Sequence, residues 1–227
     1  MNLDGMKLVH ETHEGALYMN DSHVIKILNT DKLDETDIEN VLKVSVLFSE
    51  KIPNYVPKVY STCKIENGVA IYMEKLQGMT LNQYIDSLTT RDYSPDEIFK
   101  VVMALCNATS ALHDLGYVHG DLHESNVIVD PQLNIKFVDF TQSDVITAVD
   151  PGDMETLQLY HEQIYISTMI AKLIFMKKHP TVLNKSVYDI INQISNYTVD
   201  DVVGGGKTAN KLFNILNVYR QFWVFLD

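Results

Sequence analysis

The chain has 227 residues, 46% of them hydrophobic, which suffices for one good core or for a small domain leaning on a larger one. Its net charge of −12 argues against a nucleic-acid partner, because phosphate affinity rests on Lys and Arg, and equally against anionic membrane surfaces. No stretch approaches the roughly 20 apolar residues that a membrane span needs, and the start MNLDGMKLVHE, with two acids and no apolar run, predicts no secretory leader.

In chain order, the apolar runs ALYM and HVIKIL, separated by the turn-forming NDS, predict a β-hairpin within residues 5–30. Residues 34–51, DETDIENVLKVSVLFSEK, start acidic and place Ile38, Val41, Leu42 and Val46 near helical spacing, which predicts a helix. IPNYVP breaks it. Two strand-like runs follow, KVYSTCKI and VAIYMEKL, joined by ENG, in which Asn67-Gly68 is a strong hairpin signal. The composition changes at Gly78. Ser94 as N-cap, Pro95 at N1 and Glu97 at N3 resemble a capping box, and Ile98, Val101, Val102, Leu105, Ala108 and Leu112 form the apolar stripe of a helix that Gly116 ends. Two short strands, NVIVD and IKFVDF, flank the turn PQLN. Further helices are predicted from about Asp153 to Lys177, over 181–197 and over 207–225, with Gly204-Gly205-Gly206 as a hinge. Two lobes result: residues 1–77, β-rich with one helix, and residues 78–227, mainly helical, joined near 74–80. The fold class is α+β. Cys63 and Cys106 read as reduced thiols of an intracellular, cytoplasmic protein, with Cys106 a small core residue.

The densest chemistry lies in HGDLHESNVIVD, residues 119–130. His119, Asp121 and His123 form H-x-D-x-H, whose alternate side chains would share one face of a strand and could chelate a metal. Gly116 and Gly120 favour a loop instead. In the loop reading, Asn126 follows Asp121 by five residues and Asp139, in VDF, follows it by eighteen. H-x-D-x-x-x-x-N, a hairpin and then D-F is the pattern of a phosphoryl-transfer site. An Asp on a loop can serve as base toward an acceptor hydroxyl. An Asn carbonyl and an Asp carboxylate are hard oxygen ligands able to hold Mg²⁺ against a triphosphate.

With these motifs the chain resembles the protein-kinase-like superfamily over nearly its whole length. HGDLHESN is similar to its atypical branch: RIO-type kinases, aminoglycoside and choline phosphotransferases, the small kinase of the tRNA threonylcarbamoylation complex, and compact bacterial effector or viral kinases. The resemblance implies a two-lobed kinase-like fold using ATP with Mg²⁺, or with Mn²⁺ in its place. It makes Asp121 the catalytic base, Asn126 the ligand of a second Mg²⁺, and Asp139 the chelator of Mg²⁺ between the phosphates. Lys26, in VIKI, resembles the lysine that contacts the α- and β-phosphates, as a positive point charge on a strand facing a cleft can. Glu39 is the chosen acid partner of Lys26, with Glu35 and Glu50 as competitors. Gly15 resembles the last glycine of the phosphate-covering loop, and Glu74, where the lobes join, is a further cofactor-binding candidate. His119 is expected to buttress the backbone at Asp139, and His123 to be a polar loop residue.

Four departures from the family pattern stand out. The other two glycine positions of the phosphate loop hold Thr12 and His10, which hinder close backbone approach. Gly120 replaces the arginine of H-R-D that receives an activation-loop phosphate. Asp139-Phe140-Thr141 replaces D-F-G, losing the glycine hinge. No A-P-E motif is present, and the segment between Phe140 and the helix predicted from Asp153 is short.

The expected activity is phosphoryl transfer to a Ser or Thr hydroxyl of a protein, by a minimal kinase that acts as a monomer and binds neither nucleic acid nor membrane. A small-molecule phosphotransferase is the second reading, with little room after Phe140 for substrate-enclosing helices. A nucleotide-binding pseudokinase that serves as a partner-binding module is the third. Such economy would suit an injected effector or a viral enzyme.

Overall fold

The computed structural model describes residues 3, 5–12, 15–29, 35–66, 68–145, 162, 166, 169 and 173. The chain separates into two units, Met1–Gln77 and Gly78–Asp227.

The first unit is built on an antiparallel sheet. Its strands are β1 (Lys7–Thr12), β2 (Gly15–Met19), β3 (His23–Asn29), β4 (Val59–Ile65) and β5 (Gly68–Glu74), in the order β1-β2-β3-β5-β4. The predicted hairpin is β2 with β3, and its NDS turn is stabilised by Asn20, whose Oδ1 accepts from the N–H groups of Ser22 and His23. β1 carries little strand signal in its sequence: KLVHET alternates weakly, and Leu8 and Val9 stay exposed at the sheet edge. β4 and β5 pair as predicted from their turn signal, although Asn67 itself lies outside the described residues.

The helix of this unit, α1 (Glu35–Lys51), has the predicted bounds within one residue. Its buried stripe is Ile38, Val41, Val44 and Phe48, with Val46 only partly covered. Seven apolar residues between 38 and 48 leave the phase of the stripe ambiguous in sequence, and packing on the sheet chooses it. Ile38 and Val41 join Leu28 of β3 and Val69 and Ile71 of β5 in one core.

The second unit contains β6 (Met79–Thr80), α2 (Leu81–Ser87), α3 (Pro95–Asp114), β7 (Tyr117–Val118), a 3₁₀ turn (Glu124–Asn126), β8 (Val127–Val129), β9 (Ile135–Phe137) and β10 (Asp144–Val145). The α3 stripe read from the sequence is buried throughout, together with Cys106, whose thiol burial pushes up to about 12. Both cysteines are free thiols, and Cys63 is exposed.

Only half of the capping box predicted for α3 is present. Ser94 Oγ accepts from the Glu97 N–H, but the Glu97 carboxylate turns instead to the Tyr84 hydroxyl and the Arg91 guanidinium. The complete box occurs at α2, where Thr80 and Gln83 cap each other reciprocally.

β6, β8 and β9 form one small sheet, and β7 pairs with β10. The β8–β9 turn is held by Asp130, whose carboxylate accepts from the N–H groups of Gln132 and Asn134. Most of the helix predicted from Asp153 to Lys177 lies outside the described residues. Glu162, Ile166, Met169 and Leu173 are described; all four are helical and buried, at the spacing of a single helix face. The helices predicted over 181–197 and 207–225, and the hinge at Gly204-Gly205-Gly206, lie outside the described residues.

Candidate active site

In the first unit, Lys26 sits mid-strand on β3, opposite Leu17 of β2 and Ile71 of β5, and is partly buried. Gly15 opens β2 with an ordinary φ, but a Cβ built there would lie 2.0 Å from the Ile27 carbonyl oxygen. Close strand approach therefore requires this glycine whatever else it does. Glu74 ends β5 opposite His23, and its N–H donates to the Lys58 carbonyl. Glu39, the acid expected to partner Lys26, is exposed on α1. Glu50 is also exposed, and the side chain of Glu35 lies outside the described set.

In the second unit, Asp121 and Asn126 are joined directly. Asn126 Nδ2 donates to the Asp121 carbonyl at 2.8 Å and to Asp121 Oδ2 at 3.2 Å. These bonds commit the amide nitrogen and leave the Asn126 carbonyl oxygen as the atom able to face a cation. The Asn126 main chain accepts from the Val138 N–H at 3.0 Å, which fixes the loop beside Asp139. Asp139 lies in the left-handed region, φ +67°. Asp tolerates that region better than most side chains do, and the carboxylate accepts a hydrogen bond from the Thr141 hydroxyl.

His119 is fully buried, and both of its ring nitrogens are engaged. Nε2 donates to the Val138 carbonyl at 3.0 Å, and Nδ1 accepts from the Asp121 N–H at 3.4 Å. The neutral ring carrying its proton on Nε2 satisfies both bonds, which excludes it as a metal ligand. Phe137 and Phe140 pack on the ring, with centroids at 5.8 and 4.9 Å. Among the described residues, no group of three or more His, Cys, Asp or Glu could hold a metal ion. The H-x-D-x-H chelate is thus not built, and His119 supports the peptide that precedes Asp139.

His123 caps the 3₁₀ turn, its Nδ1 accepting from the Ser125 N–H, while its Nε2 lies 3.6 Å from Asp121 Oδ2.

Glu162 was missed in the sequence. Its buried carboxylate accepts from the N–H of His119 at 2.6 Å, the N–H of Gly120 at 3.2 Å and His113 Nε2 at 2.9 Å. The acid thus pins the start of the loop to the end of α3. Gly120 lies at φ +82°, and a Cβ there would meet the Gln142 carbonyl oxygen at 1.9 Å. An arginine cannot occupy this position without moving the 142–145 segment, which β10 ties to β7 and Ser143 Oγ ties to the His119 carbonyl at 3.0 Å.

Two buried groups make the loop sensitive to acid. Burial pushes His119 below its ordinary 6.5, outweighing Glu162, the Val138 carbonyl, Asp139 and Asp121, all of which favour the cation. For Glu162, burial alone would raise the carboxyl, but the bond and charge of His113, the charge of His119 and the Gly120 N–H hold it below 4.5. In both cases the unfolded chain takes up protons first. Stability present above 6.5 for His119, and above 4.5 for Glu162, is lost as the pH falls through the lower native values. The urea unfolding midpoint should therefore drop on acidification in two stages, and Glu162→Gln should remove the second.

The protein kinase domain family matches residues 16–163, a span containing Lys26, Asp121, Asn126, Asp139 and Glu162. The chain belongs to the protein kinase domain family. Its α+β architecture, a β-rich first unit with one helix, agrees with that fold.

Among curated kinases, the chain is 26% identical to the dual specificity protein kinase zak2 of Dictyostelium discoideum over 196 residues, 84% of this chain and 26% of that kinase. It is 28% identical to the dual specificity protein kinase zakA of the same organism over 123 residues, 53% of this chain and 15% of that kinase. It is 28% identical to the carbon catabolite-derepressing protein kinase of Secale cereale over 126 residues, 54% of this chain and 25% of that kinase. The chain thus spans about a quarter or less of the length of these kinases.

Proposed function

We propose that this chain transfers the terminal phosphoryl group of ATP to a Ser or Thr hydroxyl of a protein substrate. The observation that carries this reading is the Asp121–Asn126 pair on a loop held to Val138, immediately before Asp139. Asp121 takes the proton of the acceptor hydroxyl as the oxygen attacks phosphorus. Its carboxylate is oriented by Asn126 Nδ2 and is half-exposed, so an incoming hydroxyl can reach it.

The donor set suits Mg²⁺: Asn126 offers a carbonyl oxygen and Asp139 a carboxylate, both hard oxygen ligands. These two residues would hold the cation, which when bound neutralises charge on the phosphates. Mn²⁺ fits the same oxygens. Lys26 supplies positive charge toward phosphate oxygens, and Gly15 and Glu74 are its nucleotide-binding companions on the first unit. Family membership and kinase-named relatives support protein as the acceptor.

Incubation with γ-labelled ATP and Mg²⁺ or Mn²⁺ in cell lysate tests this reading, with Asp139→Ala run in parallel. Label on protein Ser or Thr that disappears in the variant supports it. Label that accumulates in a small molecule would instead establish a small-molecule phosphotransferase, and nucleotide binding without turnover a pseudokinase.

A further inference from the structure

We propose that His123 is a positioning residue for Asp121: its imidazole, fixed in one tautomer by the turn that it caps, aims an N–H at Asp121 Oδ2 and gives Oδ1 to the acceptor hydroxyl. The inference rests on the reading of Asp121 as the base and adds a second group that aims it.

The tautomer follows from the backbone. The Ser125 N–H is an obligate donor, and it meets His123 Nδ1 at 3.3 Å. Nδ1 therefore presents its lone pair, and the proton of the neutral ring sits on Nε2. That nitrogen lies 3.6 Å from Asp121 Oδ2. The separation is too long for a full hydrogen bond, so the contact is that of an N–H dipole with a carboxylate.

One short turn directs two donors at the same oxygen. His123 stands at its start with extended backbone, φ −146° and ψ 172°, and buried Leu122 roots the segment just before it. Asn126 stands at its end, and the Asn126 N–H closes the turn on the His123 carbonyl at 2.9 Å. Asn126 Nδ2 reaches Oδ2 at 3.2 Å, the oxygen that His123 Nε2 also faces. Two N–H groups directed at Oδ2 oppose rotation of the carboxylate, and the proton of the acceptor goes to Oδ1. The histidine thus has a task on each ring nitrogen: Nδ1 caps the turn, and Nε2 addresses the base.

The two tasks separate by substitution. His123→Asn places an amide oxygen near Nδ1, and Asn is among the best caps, but its side chain ends short of Asp121. His123→Gln places an amide nitrogen near Nε2 and gives up the cap. Transfer of label from γ-labelled ATP with Mg²⁺ to dephosphorylated casein measures kcat and the KM for ATP, and thermal unfolding measures the cap. His123→Asn should lower kcat about fivefold, the upper scale of an exposed charge contact, with the KM for ATP and the thermal midpoint unchanged. His123→Gln should regain most of kcat at a lower midpoint. In an Asp121→Asn background, His123→Asn should have no further effect, because the contact it removes is already gone. Ring ¹⁵N resonances of the neutral imidazole in the wild type should show the proton on Nε2.

Wild-type kcat in His123→Asn overturns the proposal. So does a neutral ring protonated on Nδ1, a loss that Gln fails to restore, or a loss of the same size in the Asp121→Asn background. If Asp121→Asn itself turns over like the wild type, or if the wild type labels neither casein nor itself, the base reading fails and the positioning role falls with it. Turnover lost in Asp121→Asn but kept in His123→Asn removes only the role of His123.

Discussion

Asp121→Asn should lower the turnover number for phosphoryl transfer about a thousandfold, the middle of the range for loss of a positioned general base. The effect should fall on kcat rather than on the KM for ATP, because the residue acts on the acceptor proton. The substitution is nearly isosteric. The Asp121 main-chain carbonyl still accepts from Asn126 Nδ2, and an amide oxygen can replace Oδ2 in the longer bond. With the side chain about half-exposed, stability should change by less than about 0.5 kcal/mol. Steady-state kinetics and a urea titration of the same preparation separate the two effects. A variant that folds normally and turns over like the wild type would falsify the assignment of Asp121 as base.

Glu162→Ala should destabilise the fold by about 4 kcal/mol, the sum of one buried backbone donor, one partly buried backbone donor and one ring donor losing their acceptor. The His119 N–H is buried together with the carboxylate that meets it, and the Gly120 N–H beside it is partly buried. Glu162→Gln keeps one acceptor oxygen and should fall between the wild type and Ala. Urea unfolding measures both. If Glu162→Ala unfolds within about 1 kcal/mol of the wild type, the loop is held by its other bonds and the carboxylate is not its anchor. Turnover of the Ala variant should also fall, because the residues it releases lead directly into Asp121.

These two residues show what kind of information each level carries. Asp121, Asn126 and Asp139 were legible because their separations are short and chemically motivated. A five-residue loop and a tight hairpin leave few ways to arrange them, so spacing alone suggests that they meet. Glu162 was not legible. It comes more than forty residues after His119, and an acid in a helical pattern ordinarily reads as a solvated one. Only its burial, at the same spacing as Ile166, Met169 and Leu173, reveals an inward-facing carboxylate, and nothing local marks that helix face.

Gly120 and Thr141 were both read as losses from a familiar pattern. In the structure each has a positive cause: the Gln142 carbonyl occupies the space of a side chain at 120, and the hydroxyl at 141 meets Asp139. β1 and β10 escaped notice because one is a weakly alternating edge strand and the other spans two residues, too short for any periodicity. No single acid stands out as the partner of Lys26, for a related reason. Acids recur along α1 at 35, 37, 39 and 50, and which of them faces inward depends on a helix phase that the crowded apolar residues leave open.

By itself, then, the sequence determined the α+β character of the chain, the order of its main elements and the closeness of Asp121 and Asn126, since these follow from local periodicity, turn chemistry and short spacing. The tertiary structure alone decided which acid anchors the loop, which face of α1 is buried and why position 120 must be glycine. Those depend on contacts between segments far apart in the chain, and their partners leave no mark on the local pattern.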